Sequence, residues 1–285
     1  MDRTRLGPRG WARAGDPRVA SGQPRVGRVL ISAHASHAAG AKPRTIDTYQ
    51  DAVATKADYV EFDIRRTADG ELVAFHDAFC DPGTGHGQPL AALAYPRLCE
   101  IVGYEVPRVA DVLAVIKGRA TGHLDLKETG YEHRLVQLAL DVLGPGGFVV
   151  TSLEDASVAA IRSRFPDAAE VPVALSLGCG LKGAPRSQWL RTRASELWPA
   201  SRLRACGADW AAVNHRLALA GAAARCRRQQ RKVMVWTVNA EREIRYWLGR
   251  PIDVLVTDRP ALAVALRDQG GATRGLARPV RGNYL

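Results

Sequence analysis

The sequence predicts an α/β fold: a (β/α)8 or TIM barrel with a small insertion after its second or third strand. Short β-branched runs alternate with amphipathic stretches from about residue 29 to residue 268, the signature of a parallel sheet with crossover helices. The chain has 285 residues, enough for one barrel, which needs about 250. Its hydrophobic fraction of 46% and charged fraction of 24% are those of a globular chain able to bury a sizeable core.

The expected strands are 29–34 (VLISAH), 59–65 (YVEFDIR), 71–76 (ELVAFH), 122–127 (GHLDLK), 148–152 (FVVTS), 171–177 (VPVALSL), 210–214 (WAAVN), 232–238 (KVMVWTV) and 253–257 (DVLVT). Helical segments are expected at 46–56, 132–143, 155–165, 217–230, 240–248 and 260–268, with Asp155 and Asn239 as N-caps and Pro260 in a first turn. Nine strands are one more than the barrel uses. Segment 71–76 follows 59–65 so closely, across Asp69-Gly70, that it reads either as a hairpin return or as a direct neighbour. Residues 77–108 open with the Gly/Pro-rich DPGTGHGQP and read as an inserted excursion. The barrel domain is expected over 29–269, between an Arg-rich tail (1–28) and a flexible C-terminal tail (270–285).

The net charge of +11 is concentrated at the ends. Residues 1–28 carry +5 and residues 270–285 carry +3, which leaves +3 for the middle. Such Gly-, Pro- and Arg-rich arms read as solvated segments rather than as a nucleic-acid surface. The five cysteines, Cys80, Cys99, Cys179, Cys206 and Cys226, are scattered and contain no C-x-x-C pair. That pattern argues against a disulfide framework or a zinc knuckle and for a reducing compartment. Nothing approaches about 18 consecutive apolar residues, and the basic N-terminus lacks an apolar segment behind it, so the expected location is cytoplasmic.

Strand phase sorts the chemistry. Residues i and i+2 share a face, so Glu61 and Asp63 point together, as do Asp125 and Lys127. The neighbours Val60, Phe62, Leu124 and Leu126 are apolar. Acids set in apolar strands are costly unless paired or bound to a cation. One reading pairs Glu61 and Asp63 with an arginine such as Arg65 or Arg66. The other gathers Glu61, Asp63 and Asp125 at the C-terminal barrel mouth as an oxygen site for one hard divalent cation, Mg²⁺ or Ca²⁺. His34 and His76 each end an apolar strand and are expected at the same rim. Two imidazoles beside a cation site are what phosphodiester cleavage requires, one to take a proton and one to return it.

These residues carry a family resemblance. His34, Thr45, the stretch Ala57-Asp58-Tyr59-Val60-Glu61-Phe62-Asp63, Thr67-Ala68-Asp69-Gly70 and His76-Asp77 resemble the opening of glycerophosphodiester phosphodiesterases, within the wider phospholipase C-like barrel superfamily. Leu124-Asp125-Leu126-Lys127 resembles their E-x-K strand and Thr151-Ser152-Leu153-Glu154 their S-F-[DN] element. Val235-Trp236-Thr237-Val238-Asn239 and Val256-Thr257-Asp258-Arg259-Pro260 are similar to their W-T-V-N and T-D-x-P strands. The resemblance implies a (β/α)8 barrel with a small insertion after the H-D motif. It also implies one divalent cation on Glu61, Asp63 and Asp125, an acid–base pair in His34 and His76, a phosphate contact at Lys127 and a substrate-pocket wall at Trp236. In the implied scheme a substrate hydroxyl attacks phosphorus, and water opens the resulting cyclic phosphate to sn-glycerol 3-phosphate.

Two motifs depart from the pattern. The first, H-R-G in the family, reads His34-Ala35-Ser36, which removes an arginine from the phosphate. The P-E-N-T motif aligns with Lys42-Pro43-Arg44-Thr45, which removes its glutamate. Arg44 or His37 is near enough in sequence to restore the lost charge. The third metal position is Asp125 in place of the usual Glu. A sphingomyelinase D-like or lysophospholipase D-like enzyme releasing a cyclic phosphate, and a non-catalytic phosphodiester-binding barrel, stand as alternatives. In each the partner is a small-molecule phosphodiester.

Overall fold

The computed structural model describes residues 28–34, 44–81, 87–181 and 183–276, with side chains as far as Gly270. Residues 1–27 and 277–285, which make up most of the two expected tails, lie outside the described residues, as do Ala35, Ser36, His37, Lys42 and Pro43.

In chain order the first half contains β1 (Leu30–His34), α1 (Ile46–Ala54), β2 (Tyr59–Arg66), β3 (Leu72–Ala74), β4 (Phe79–Cys80), β5 (Gln88–Pro89), α2 (Tyr95–Val102), α3 (Val109–Ile116), β6 (Thr121–Leu126) and α4 (Glu132–Leu143). The second half contains β7 (Phe148–Ser152), α5 (Asp155–Arg164), β8 (Val173–Leu177), α6 (Arg186–Leu197), α7 (Ala200–Ala205), β9 (Trp210–Asn214), α8 (His215–Leu219) and α9 (Ala222–Arg228). It ends with β10 (Lys232–Trp236), α10 (Glu241–Leu248), β11 (Val254–Thr257) and α11 (Pro260–Leu276).

Eight strands, in the order β1-β2-β6-β7-β8-β9-β10-β11, pair in parallel, and β11 pairs back with β1 to close the barrel. The expected fold class is therefore present. Period two explains the packing: on β2, Val60, Phe62 and Ile64 point outward into the core shared with the helices, while Tyr59 joins a smaller cluster with Val149, Ala174, Trp210 and Met234. Asp58 helps hold the closing seam. Its carboxylate accepts from the Ile31 amide at 2.8 Å and pairs with Arg267 of α11.

The ninth strand candidate, 71–76, resolves into the hairpin return. Its core β3 runs antiparallel to β2, with Ile64 opposite Ala74, because the Asp69-Gly70 turn leaves no room for a crossover helix. Gly70 adopts φ 90° there, a conformation that costs glycine little. Segment 77–108 lies off the barrel sheet: β4 and β5 form a small antiparallel pair, and α2 follows. It has a satellite core of Cys80, Leu90, Leu93, Tyr95, Leu98 and Val106. The Tyr95 hydroxyl donates to the Val106 carbonyl at 2.9 Å.

Several local expectations shift. Asp155 and Asn239 do not cap; Glu154 and Ala240 hold those positions. Their side chains have long-range partners instead, Arg202 for Asp155 and Asp258 for Asn239. Pro260 opens α11 as expected, but that helix continues past 268 to Leu276. Helices α3, α6 and α7 had no strong sequence signal; α6 presents mostly polar residues and buries Glu196. The cysteines are all free thiols.

Candidate active site

Strand register assembles the site. On neighbouring strands His34 aligns with Glu61 and Glu61 with His123, while Asp63 aligns with Asp125 and Asp125 with Thr151. Two rows of polar side chains thus line the C-terminal mouth of the barrel. They border a cavity of about 210 Å³ whose lining includes His34, Glu61, Asp63, His76, Asp125 and Lys127. Trp236 also lines it, and with Thr237 borders a second cavity of about 610 Å³ that reaches Trp189, Arg193 and His215.

Glu61, Asp63 and Asp125 each bring one oxygen within 4.8 Å of the others, so the three expected ligand positions converge. Glu61 and Asp63 are almost fully buried. Neither pairs with Arg65 or Arg66: Arg65 bonds Glu128 and the His76 carbonyl, and Arg66 bonds the Gly130 carbonyl. Burial, reinforced by Asp63, pushes the Glu61 carboxyl well above the usual carboxylate range. Its Oε2 is buried and has no hydrogen-bond partner among the described residues.

Lys127 lies between two of the acids, with Nζ 2.7 Å from Asp63 Oδ1 and in contact with Asp125. Burial opposes its charge, but Asp125 and Asp63 outweigh that and hold the ammonium above its ordinary pKa. Burial likewise pushes Asp63 up, yet Lys127 and Arg44 prevail and keep it ionised well below the usual range. Arg44 differs from the expectation. It is not among the cavity-lining residues; its Nη1 donates to Asp63 Oδ2 at 3.1 Å from behind.

The two histidines sit unequally. His34 Nδ1 is 2.6 Å from Asp258 Oδ1, and its Nε2 faces Glu61 Oε2 at 3.9 Å. Burial works against its positive form, but Glu61 and Asp258 outweigh burial and raise its pKa. Asp258 is held in turn: its amide donates to Asn239 Oδ1 at 2.9 Å, and the Asn239 amide group donates to its carboxylate. His76 is half-exposed, with Nδ1 2.7 Å from Asp77 Oδ1.

Sequence reasoning missed His123, Thr151, Asp258 and Asn239. Thr151 donates to Asp125. With its one proton used, its oxygen accepts from His123 Nε2 at 3.3 Å, while His123 Nδ1 accepts from Ser32 at 3.0 Å. Burial lowers the His123 pKa to about 4, so this ring is a neutral strut. Its only sequence signal was phase: His123 stands two residues before Asp125, on the same face.

Residues 35–128 match the sequence profile of the Glycerophosphoryl diester phosphodiesterase family. A glycerophosphodiester phosphodiesterase of Bacillus subtilis is 27% identical over 168 residues, a match covering 49% of this chain and 57% of that protein. The matched stretch is thus under two thirds of the relative's length. A Parabacteroides distasonis glycerophosphodiester phosphodiesterase superposes with a TM-score of 0.65 at 16% identity, over 86% of this chain and 98% of that one. A Thermotoga maritima enzyme of the same name gives 0.64 at 18% identity, over 84% and 99%. An Oleispira antarctica phosphodiesterase in complex with sn-glycerol-3-phosphate gives 0.60 at 17%, over 85% and 97%. At these identities the structural likenesses show the fold alone. Residues 35–128 of this chain are thus similar to the glycerophosphoryl diester phosphodiesterase family, and that segment holds Glu61, Asp63, His76, Asp125 and Lys127 of the candidate site.

Proposed function

We propose that this protein is a divalent-cation-dependent phosphodiesterase that hydrolyses glycerophosphodiesters to sn-glycerol 3-phosphate and an alcohol. One observation carries the reading: His34 from β1, Glu61 and Asp63 from β2, His76 from just past β3, and Asp125 and Lys127 from β6 and the residue after it line a single cavity. The residues fit a hard cation, since the donor set is all oxygen and Glu61 Oε2 is buried with no hydrogen-bond partner among the described residues. Glu61, Asp63 and Asp125 would hold the ion, which, when bound, stabilises charge on the phosphoryl oxygens.

The chain's own groups move the protons. One of His34 and His76 takes the proton from the attacking hydroxyl as its oxygen bonds to phosphorus. The other protonates the departing alkoxide as the old P–O bond breaks, and water then adds to phosphorus with the two roles exchanged, opening the cyclic phosphate to the monoester. Asp258 fixes the ring and tautomer of His34. Lys127 is the only lysine or arginine among the described cavity-lining residues and is the phosphate contact. Trp236 offers an apolar wall beside the second cavity, toward which the leaving alcohol extends.

The test is turnover of glycerophosphocholine, glycerophosphoethanolamine and a chromogenic diester, with and without EDTA, by the wild type and His76→Ala. Metal-dependent release of sn-glycerol 3-phosphate, lost in His76→Ala, is the expected result. EDTA-insensitive turnover or an active mutant rejects the mechanism. Accumulation of a cyclic phosphate as end product points to the sphingomyelinase D-like chemistry instead.

A further inference from the structure

Arg44 stands where the family's motif aligns an asparagine, and the structure gives it an unexpected place. Its side chain is only 5% exposed, and its Nη1 is fixed on Asp63 Oδ2 at 3.1 Å. Its Nε and Nη2 are buried with no hydrogen-bond partner among the described residues. Asp63 is therefore the carboxylate that compensates this buried charge. A guanidinium stays protonated at any physiological pH, so the positive charge is permanent.

The acidic site is correspondingly filled from within. Asp63 Oδ1 accepts from Lys127 and Oδ2 from Arg44; Asp125 accepts from Lys127 through Oδ2 and from Thr151 through Oδ1. All four aspartate oxygens thus have protein donors, whereas Glu61 Oε2 is buried with no hydrogen-bond partner among the described residues. Lys127 and Arg44 together therefore already match part of the negative charge that the three carboxylates could offer an incoming ion. The two cations differ in freedom. The Lys127 side chain is 19% exposed on the cavity side and sits on a flexible stem able to swing toward a phosphate. Arg44 is not among the residues lining this cavity, and its side chain is almost fully buried.

We infer that Arg44 is a built-in counter-cation that weakens the site's hold on its divalent metal, so that the metal exchanges readily instead of remaining resident. Oxygen sites tune affinity by ligand charge count, and Arg44 removes one unit of that charge. The inference rests on the reading of Glu61, Asp63 and Asp125 as the cation's ligands.

Mn²⁺ titration of the full chain, with free Mn²⁺ followed by electron paramagnetic resonance, tests it without reference to turnover. Wild type is expected to half-saturate above about 100 µM, the weak end of the range for oxygen sites. Arg44→Gln should bind at least about tenfold more tightly, and Arg44→Lys, which keeps the charge, within about threefold of wild type. Equal affinity of Arg44→Gln and wild type overturns the role of Arg44 and leaves the metal site standing. No binding by either folded protein at millimolar Mn²⁺ overturns the metal site itself, and this inference with it. Should Arg44→Gln fail to fold, the wild-type titration still decides, because half-saturation below about 10 µM contradicts a weakened site.

Discussion

His34 Nδ1 and Asp258 Oδ1 stand 2.6 Å apart although 224 residues separate them in the chain. The contact forms because β11 closes the barrel against β1, with Ala33 beside Thr257. It gives His34 a fixed ring and tautomer, as an acid–base imidazole needs. Asp258→Asn is expected to lower kcat about a hundredfold with little change in KM, the scale of one general acid–base contribution. Asp258→Glu should recover part of the loss. An unchanged kcat, or a loss confined to KM, removes the positioning role.

Lys127 pairs at once with the buried Asp63 and the partly buried Asp125. Lys127→Met leaves Asp63 with Arg44 alone and Asp125 without a cation, and should cost about 3 kcal/mol, the lower end for a broken buried pair. A divalent cation replaces the missing charge, so thermal melts should show the deficit shrinking as millimolar Mg²⁺ is added. A deficit indifferent to Mg²⁺ means that these carboxylates do not bind it.

His123 gives the fold a pH dependence. Its folded pKa is about 4, below the ordinary value near 6.5. Between those values the unfolded chain binds a proton that the folded protein refuses, so stability falls as pH drops from about 6.5 toward 4. The full loss is about 3 kcal/mol. Urea melts at pH 7 and pH 4.5 should show a smaller difference for His123→Gln than for wild type. An equal difference in the two proteins assigns the acid sensitivity to other groups.

At the other end of the barrel, Asp58 holds the Ile31 amide and Arg267 across the closing seam. Asp58→Ala strands a buried donor and a guanidinium that is almost fully covered, and should lower stability by about 2 kcal/mol. Assays well below the melting temperature should find kcat unaltered, since Asp58 is not among the cavity-lining residues. A matching fall in kcat would show that seam and site are coupled.

The barrel was legible because hydrophobic period and turn chemistry are local. All eight barrel strands were marked by short apolar runs, and Asp69-Gly70 left a return into β3 as one of two readings. Helices α6 and α7 were not, because α6 carries few apolar residues and is held by contacts such as Glu196 with the Gly178 and Cys179 amides. The cap assignments failed for a related reason. Asp155 and Asn239 are good local caps, but Arg202 and Asp258 offered them distant partners.

By itself the sequence determined the strand phase that points Glu61 with Asp63 and Asp125 with Lys127, and the placing of His34 at the end of β1, whereas His76 lies two residues past β3. Those follow from the two-residue period of an extended chain. Only the tertiary structure decided which of these side chains meet. Barrel closure set Asp258 on His34, and sheet register set His123 and Thr151 behind the acids. The packing of the Arg44 segment sent its charge to Asp63 instead of toward the cavity. Such pairings depend on the stagger between strands far apart in sequence, and no local pattern encodes that stagger.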